Sequence, residues 1–250
     1  MFDHVTIRVS DPAASERFYD TVLAAIGVEK TGSAGEFGEG CAELAEWGDF
    51  SIAAADEDNP ATTGLHIGFC AWSHEAVQAF WQAGIDAGFR SDGEPGPRPV
   101  YGDDYYGGFL LDPDGNSAEA ALHDGLKRQG NIDHLWIRVG DVRATAAFYE
   151  AVAPFTGFAL SRELPERTHF RGPGAQFALV DDGGPATQHL HVAFPAASND
   201  TVDAFHAAAL AAGYTDNGPP GERPRYHPGY YGAFVLDPAG TNVEVVNHNR

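Results

Sequence analysis

The chain has 250 residues, of which 43% are hydrophobic, and its formal net charge is −21. This apolar content is sufficient for a packed core, and the length allows one large domain or two small ones. The negative charge argues against nucleic acids and anionic membranes as partners, because both are bound through basic patches. No apolar run approaches a membrane span, and the N-terminus enters a strand pattern directly, so we expect a cytoplasmic protein without a signal peptide.

The first quarter of the chain predicts a strand, a helix and three short strands. Apolar and polar residues alternate from His4 to Val9, which is typical of a half-buried strand. Asp11 followed by proline is a helix N-cap signal, and Gly27 predicts the helix end. The short strands are expected at Val28–Thr31, Cys41–Trp47 and Phe50–Ala54.

The same order of elements starts again at residue 65. A strand over Leu65–Cys70 precedes a helix that Ser73 caps and Gly88 ends. Further strands are expected at Val100–Tyr101, Tyr106–Leu111 and Ser117–Leu122.

The second half of the chain repeats the first. Residues 65–123 align with 190–248 without a gap, and DHVTIRV at Asp3 aligns with DHLWIRV at Asp133. A helix capped by Asp141 is expected to end early at Pro154. We therefore predict an α+β fold of two tandem domains, residues 1–125 and 130–250, each made of paired βαβββ modules.

One face of several strands carries a histidine or a glutamate, while the other face is aliphatic. If the sheets curl, we expect each copy to bring its own three side chains together. Two histidines and one carboxylate suit a divalent metal ion (Fe²⁺, Mn²⁺, Ni²⁺, Co²⁺ or Zn²⁺) and leave coordination positions open for substrate. A single histidine on a strand is more often a hydrogen-bonded residue than a metal ligand. Here, however, all three candidate positions recur in the second copy. The predicted ligand sets are His4, His66 and Glu119 in the first copy, and His134, His191 and Glu244 in the second.

Other polar and aromatic residues are candidates for contact with a substrate. The candidate proton donors or acceptors are His227, Tyr226 and Tyr101. Arginines on the ligand faces could hold a substrate carboxylate or enolate, and aromatic residues could stack on a ring. The candidate substrate-binding residues are Arg8, Arg138, Tyr106, Tyr231 and Trp136. For each candidate, the alternative is a structural role, either in packing or in an exposed loop. His227 and Trp136 both belong to the second domain, which is therefore the stronger candidate for a distinct functional role.

Three pairs of segments together resemble the vicinal oxygen chelate superfamily, which includes glyoxalase I, extradiol dioxygenases and bleomycin-binding proteins. They are DHVTIRV and DHLWIRV, LHIGF and LHVAF, and LDPDGNSAE and LDPAGTNVE. The resemblance covers nearly the whole chain and implies cupped sheets around a divalent metal, with the six histidines and glutamates above as ligands. Glyoxalase-type sites add a fourth ligand from the fourth strand, where this chain has FSIAAAD and QFALVDD. The extradiol signature has a tyrosine where this chain has Phe109 and Phe234.

Two classes of function remain open. The resemblance implies a metal-dependent lyase, isomerase or dioxygenase acting on a small oxygenated substrate. The alternative is a binding protein that sequesters an aromatic or antibiotic-like ligand without catalysis, and a mixed case would give one domain each role. In every case the expected partner is a small molecule, and four modules in one chain allow a monomer or a homodimer.

Overall fold

The computed structural model describes residues 1–33, 43–126 and 130–249, with only the backbone described at residues 43 and 44. The described residues form an α+β fold, which confirms the predicted class. The first two modules contain β1 (His4–Val9), α1 (Pro12–Ala24), β2 (Gly32–Ser33), β3 (Glu43–Trp47) and β4 (Phe50–Ala54), followed by β5 (His66–Cys70), α2 (His74–Asp86), β6 (Arg90–Pro97), β7 (Tyr106–Leu111) and β8 (Ser117–Leu122).

The other two modules repeat this order with slightly different lengths. They contain β9 (Ile132–Arg138), α3 (Val142–Thr156), β10 (Ala159–Leu164), β11 (Arg167–Arg171) and β12 (Gln176–Val180), followed by β13 (His191–Pro195), α4 (Asn199–Ala211), β14 (Thr215–Glu222), β15 (Tyr231–Leu236) and β16 (Asn242–Asn247). No helix in the described ranges is long and apolar enough to cross a bilayer.

All four helices begin where the sequence places a capping side chain. Each cap accepts a hydrogen bond from the backbone N–H three residues later, which satisfies one of the free amides of the first turn. The four caps are Asp11, Ser73, Asp141 and Ser198.

Two predicted strands are misplaced for local reasons. The segment Val28–Thr31 is not a strand, because the short strand β2 begins at Gly32. Val100 and its neighbour lie in an exposed turn, and the strand that pairs with β7 is the earlier β6. Strand β6 is polar, mostly exposed and bulged, so it lacks the apolar alternation that reveals strands in a sequence. The start predicted at Cys41 lies outside the described residues.

Pro154 does not end α3 early. The helix continues to Thr156 and ends at Gly157, which has φ 71°. A proline within the last turn removes only its own N–H bond, so the turn can still close before the left-handed glycine terminates it.

Each of the two eight-stranded sheets contains one module from each copy. One sheet has the order β14-β15-β16-β13-β1-β4-β3-β2, and the other has the order β10-β11-β12-β9-β5-β8-β7-β6. The central pairs, β1 with β13 and β5 with β9, are antiparallel, and each central strand has a parallel neighbour on its other side. The two copies therefore meet in the middle of both sheets.

One hydrophobic core serves both sheets and all four helices. Phe50 of the first sheet contacts Phe69 of the second edge to face, with ring centroids 5.2 Å apart. The opposite face of each sheet carries the polar side chains and is concave. We call the concave face of the sheet containing β1 and β13 cup A, and that of the sheet containing β5 and β9 cup B. Their cavities measure about 860 and 720 Å³.

The repeated Asp-Pro turns are structural. Asp112 accepts hydrogen bonds from the backbone N–H of Asn116 and from the hydroxyl of Tyr19 on α1. Asp237 makes the matching bonds in the second copy, to residue 241 and to Tyr149. Each buried aspartate thus fixes the start of the strand that carries a predicted glutamate ligand.

Candidate metal centre

Three predicted ligands meet at the centre of cup B. Nε2 of His66 lies 3.0 Å from Oε2 of Glu119 and 3.1 Å from Nε2 of His134. The third side of the triangle, from Nε2 of His134 to Oε2 of Glu119, is 3.4 Å. Glu119 is only 1% exposed, so its carboxylate faces the two imidazoles rather than water.

Cup A brings the other three predicted ligands together in the same way. Nε2 of His191 lies 3.1 Å from Nε2 of His4 and 3.2 Å from Oε2 of Glu244. The distance from Nε2 of His4 to the same carboxylate oxygen is 3.6 Å. These two trios are groups that could hold a metal ion.

The residues that converge are the predicted ligand candidates, but the predicted grouping by copy is wrong. His4 was expected to meet His66, whereas β1 pairs with β13 and places Thr6 directly opposite His191. In the other sheet, β5 pairs with β9 and places Gly68 opposite His134. Each trio thus takes one histidine from one copy, and one histidine and one glutamate from the other.

The donor geometry fits a divalent ion. Ligand atoms about 2.0 to 2.2 Å from one ion, at tetrahedral or octahedral angles, lie about 2.8 to 3.6 Å from one another. All six separations in the two cups, from 3.0 to 3.6 Å, fall in this range. Imidazole nitrogen and carboxylate oxygen also suit the divalent transition metals.

Acidic residues orient the first-strand histidines. Nδ1 of His134 donates to Asp133 at 2.8 Å, and Nδ1 of His4 donates to Asp3 at 2.9 Å. Burial would raise the pKa of both aspartates, but hydrogen bonds to histidines outweigh it and hold each pKa well below its usual range. An ionised aspartate only accepts hydrogen bonds, so the proton sits on Nδ1 and the Nε2 lone pair faces the ion position. Sequence reasoning missed both aspartates, although an Asp-His pair opens each copy.

The third oriented histidine belongs to cup B. Nδ1 of His66 donates to the hydroxyl of Ser117 at 3.0 Å, and that hydroxyl donates to Asp92 at 2.7 Å. In cup A, the residue corresponding to Ser117 is Asn242, and Nδ1 of His191 is buried without a hydrogen-bond partner among the described residues. The two cups therefore differ in how they hold their fifth-strand histidine.

Without an ion, the cup B trio holds a proton. Burial disfavours a charged His134, but hydrogen bonds to Asp133 and Glu119 raise its pKa to about 10. Burial would likewise raise the pKa of Glu119, yet the hydrogen bonds from His134 and His66 lower it to about 2. Burial lowers the pKa of His66. A bound ion would take the place of this proton on Nε2 of His134.

A tyrosine hydroxyl holds the second oxygen of each glutamate. Tyr105 donates to Oε1 of Glu119 at 2.9 Å, and Tyr230 donates to Oε1 of Glu244 at 2.7 Å. Both tyrosines lie just before a strand in the repeated YYG segment, but their role as carboxylate partners was not predicted from the sequence. Because Oε1 is engaged in this way, Oε2 points toward the histidines.

Glycines make room for the ligands. A Cβ atom at Gly107 or Gly232 would collide with Oε1 of the neighbouring glutamate, and a Cβ at Gly68 would collide with the imidazole of His134. Cup A has Ala193 opposite His4, at the place that Gly68 takes opposite His134. The requirement for glycine at this place is thus specific to cup B.

Gly68→Ala is therefore expected to displace the His134 ring and weaken metal binding in cup B, by about tenfold or more, because ligand orientation controls metal affinity. Cup A should keep its affinity. Calorimetric titration with Zn²⁺ would measure the two sites in the variant and in the matched control Ala193→Gly. Two undisturbed sites in a folded Gly68→Ala protein would contradict the geometry described for His134.

Two predicted aromatic residues line cup B. The Trp136 ring lies 6.2 Å from the His66 ring, and Tyr101 meets Trp136 edge to face at 5.6 Å. Trp136 and His227, which were grouped by domain, lie in different cups. The two residues therefore do not mark one functional domain. They give the two cups different walls.

The two predicted arginines also line the cups, but both have local partners. Arg138 donates from Nε to Asp182 at 2.9 Å, and Arg8 donates from a terminal nitrogen to the backbone oxygen of Ala54 at 2.8 Å. These contacts hold both guanidinium groups against the sheet. A substrate anion would have to share Arg138 with an aspartate.

His227 belongs to a hydrogen-bonded chain that reaches the cup A ligands. Its Nδ1 lies 2.8 Å from the carbonyl oxygen of Pro228, and its Nε2 lies 2.8 Å from Nδ1 of His248. Nε2 of His248 lies 3.0 Å from Asp3. Tyr226 lies beside His227 and also lines cup A.

Tyr106 and Tyr231 do not face the cups, which corrects their prediction as substrate-binding residues. The Tyr106 hydroxyl accepts from Gln78, and its ring stacks on His74, both on α2. Tyr231 donates to Asp203 on α4. Because the side chains of a strand alternate, these tyrosines lie on the helix side of the sheet.

The fourth strand of a module offers no carboxylate beside either trio. The cup-facing residue opposite Thr6 is Ser51, and the one opposite Trp136 is Ala178. Within the described residues, each candidate group contains three potential ligands. This agrees with the three-ligand pattern that the sequence indicates.

Comparison with known proteins identifies the family. The model of the Glyoxalase/Bleomycin resistance protein/Dioxygenase superfamily matches residues 1–120 and 131–245. A comparison with curated proteins gives no match. The solved structure of glyoxalase I from Zea mays is similar over 99% of this chain and 92% of its own, with 20% identity and a TM-score of 0.67.

A second similar structure is a candidate dioxygenase from Bacillus subtilis. It matches 100% of this chain and 85% of its own, with 12% identity and a TM-score of 0.67. At these identities the structural likeness shows the fold alone. The resemblance in the DH, LH and LDP segments is confirmed by the family match, and the chain belongs to the Glyoxalase/Bleomycin resistance protein/Dioxygenase superfamily.

Proposed function

We propose that this chain is an enzyme that depends on a divalent metal ion and acts on small oxygenated molecules in its cups. The observation that carries the proposal is the convergence of two histidines and one glutamate, with oriented side chains, in both cups. Three protein ligands leave coordination positions open, as catalytic sites require and structural sites do not. The ligands would be His66, Glu119 and His134 in cup B, and His4, His191 and Glu244 in cup A.

A bound ion (Fe²⁺, Mn²⁺, Ni²⁺, Co²⁺ or Zn²⁺) would supply Lewis-acid stabilisation of an enolate or oxyanion. The chain itself contributes the enclosure and the positioning. Each cavity has the volume of a small-molecule site. Phe109 and Trp136 place aromatic rings about the His66 imidazole in cup B, where they would exclude water from a bound substrate.

Proton transfer in cup A would use His227. It lines the cavity, and its contact with His248 continues to Asp3, so its imidazole is connected to the orienting aspartate of His4 while it gives or takes a proton. Tyr226 stands next to it as a second candidate donor. In cup B the residue corresponding to His227 is Gly102, which leaves Tyr101 as the candidate donor there.

The reaction class that fits this arrangement is a lyase, isomerase or dioxygenase reaction on a substrate with one or two metal-binding oxygens. Ser51 and Ala178 in place of a fourth carboxylate favour chemistry that works with three ligands. The second candidate function is sequestration of an aromatic ligand, which the aromatic lining of cup B favours.

Each candidate trio lies within one chain, so a monomer would suffice, and a homodimer is equally compatible with the proposal. Each predicted domain, residues 1–125 and 130–250, would contribute one module to each cup. A cytoplasmic location and a small-molecule partner, without nucleic acid or membrane, accompany this proposal.

The test is metal analysis followed by turnover. The protein is purified without chelator, reconstituted with Fe²⁺, Mn²⁺, Ni²⁺, Co²⁺ or Zn²⁺, and analysed for metal per chain. It is then assayed against a panel of hemithioacetals and catechols. We expect up to two ions per chain and a turnover that a chelator removes and the metal restores. Binding of aromatic compounds by a protein that takes up no metal would favour sequestration instead.

A further inference from the structure

The two cups differ along one wall, which is formed by the strand two places from the first strand of each copy in the sheet. In cup A this strand is β3, where Glu46 lies opposite Ser51. In cup B it is β11, where His169 lies opposite Ala178. Because Ser51 and Ala178 occupy the same place beside β1 and β9, Glu46 and His169 occupy the same place in the two cups. The equivalent positions therefore carry an acidic residue in cup A and an imidazole in cup B.

The cup B wall is rich in arginine. Along β11 the side chains of Thr168 and Phe170 are buried in the core, and the alternate residues face the cup. His169 has a residue of the adjacent strand β10 opposite it, Arg162. We call three cavity-lining residues of these strands the arginine wall: Arg162, Arg167 and Arg171.

Among the residues that the structure describes, the arginine wall has no acidic partner. The other two arginines of the cavity are engaged, since Arg138 pairs with Asp182 and Arg98 donates to backbone carbonyls. By contrast, no carboxylate in the described part of the chain lies within 4.0 Å of an arginine of the wall. Unpaired guanidinium groups lining one cavity of a chain with a net charge of −21 form a local positive field that attracts anions.

Two buried nitrogens on this wall lack hydrogen-bond partners among the described residues. They are Nε of Arg167 and Nε2 of His169. A buried polar atom without a partner is costly, and an anion bound on this wall would give Nε–H of Arg167 an acceptor. The contact from Arg171 to Gln176 is long, 3.3 Å, and leaves the other nitrogens of that guanidinium for an incoming anion.

The wall lies at a useful distance from the metal ligands. The Arg167 guanidinium stacks over the Trp136 ring at 5.2 Å, and that ring lies 6.2 Å from the His66 imidazole. Two strand spacings, about 10 Å, separate β11 from β9. A small molecule could therefore contact the arginine wall at one end and the His66 side of the cup at the other, with Trp136 between.

We propose that cup B takes a substrate with an anionic group, a carboxylate or a phosphate, which binds the arginine wall beside His169, while cup A takes a different substrate without an anion at this place. Binding of the other end of this substrate to a metal ion rests on the proposed function, but binding of the anionic group to the arginine wall does not. Glu46 at the equivalent place in cup A would repel the same anion, so the two cups have diverged in substrate class.

The experiment titrates inorganic phosphate and, separately, succinate into the metal-free full chain by calorimetry at constant ionic strength. We expect one site per chain, weakened at least about tenfold in the triple variant Arg162→Gln, Arg167→Gln, Arg171→Gln, because each charge-assisted contact is lost. The cup A control, Glu46→Gln, should not change it. Comparison of the two titrations shows whether the wall prefers a phosphate or a carboxylate.

Absence of binding to the wild-type chain, or equal binding to the triple variant, would overturn the inference. Zn²⁺ stoichiometry is measured on the same samples. The triple variant should bind as much Zn²⁺ as the wild type, because the wall holds no predicted ligand. A chain that binds the anion but no metal would defeat the proposed function and leave this inference standing, whereas the reverse result would defeat only the inference.

Discussion

Replacing His4 and His66 together by alanine is expected to abolish stoichiometric metal binding. The two histidines belong to the same copy, but they lie in different sheets, so this double variant removes one ligand from each cup. The double variant His4→Ala, His191→Ala removes two ligands from cup A only and should retain one ion per chain. Equilibrium dialysis against Zn²⁺ with elemental analysis would give the stoichiometry of each.

The two double variants are matched controls for each other, since each removes two histidines of similar exposure from a first and a fifth strand. A grouping of ligands by copy predicts the reverse result for both, because His4 and His66 would then share one site. Circular dichroism would establish that both variants are folded. One ion in the His4, His66 variant and none in the His4, His191 variant would contradict the assembly of sites across copies.

Asp133→Asn is expected to weaken metal binding in cup B by about 10- to 100-fold, the usual effect of losing a carboxylate that orients a ligand histidine. Asparagine has the same shape but no charge, so the donor at Nδ1 of His134 keeps a weaker acceptor and Nε2 becomes a poorer ligand. His123, which lies 3.1 Å from the same carboxylate, also loses its charged partner.

Competition between the protein and a Zn²⁺ indicator, fitted with two sites, would measure this effect. Asp3→Asn is the counterpart in cup A and should weaken only the other site. Because the cups share no ligand, the double aspartate variant should show both losses without further coupling. Wild-type affinity at both sites in Asp133→Asn would mean that the aspartate does not orient the histidine.

Much of the fold follows from local signals in the sequence. Capping residues mark all four helix starts because they satisfy backbone amides in the first turn. Alternation identified the strands with one aliphatic face, and with them all six metal-ligand candidates. The polar strands β6 and β14 escaped because their exposed, bulged backbones need no apolar side chains.

The grouping of ligands could not be read from alternation. Strands β5 and β13 carry a histidine on equivalent faces, so either of them beside β1 would complete a plausible trio with His4. The choice between β5 and β13 depends on which module pairs with β1 in the sheet. That pairing is set by contacts between residues distant in sequence, such as Val5 opposite Val192. The face of Tyr106 was similarly undetermined until the strand had a fixed position in the sheet.

The residues around the ligands were missed for a different reason. Tyr105 acts through Glu119, and Asp133 acts through His134, so neither resembles a metal ligand by its own spacing. A comparison of the two copies could have indicated them, since an aspartate precedes the first histidine and a tyrosine stands fourteen residues before the glutamate in both. The arginine wall lies where the two copies differ in sequence, so a search for shared residues does not indicate it.

We propose that two divalent ions bind at sites assembled from both copies of the repeat. Crystals of the full chain soaked in Zn²⁺, with anomalous data collected at the zinc edge, test it most directly. We expect one peak about 2.0 to 2.2 Å from the ligand atoms of His66, His134 and Glu119, and a second peak at the same distance from those of His4, His191 and Glu244. A zinc peak bound by His4 and His66 together, or by neither trio, would contradict it.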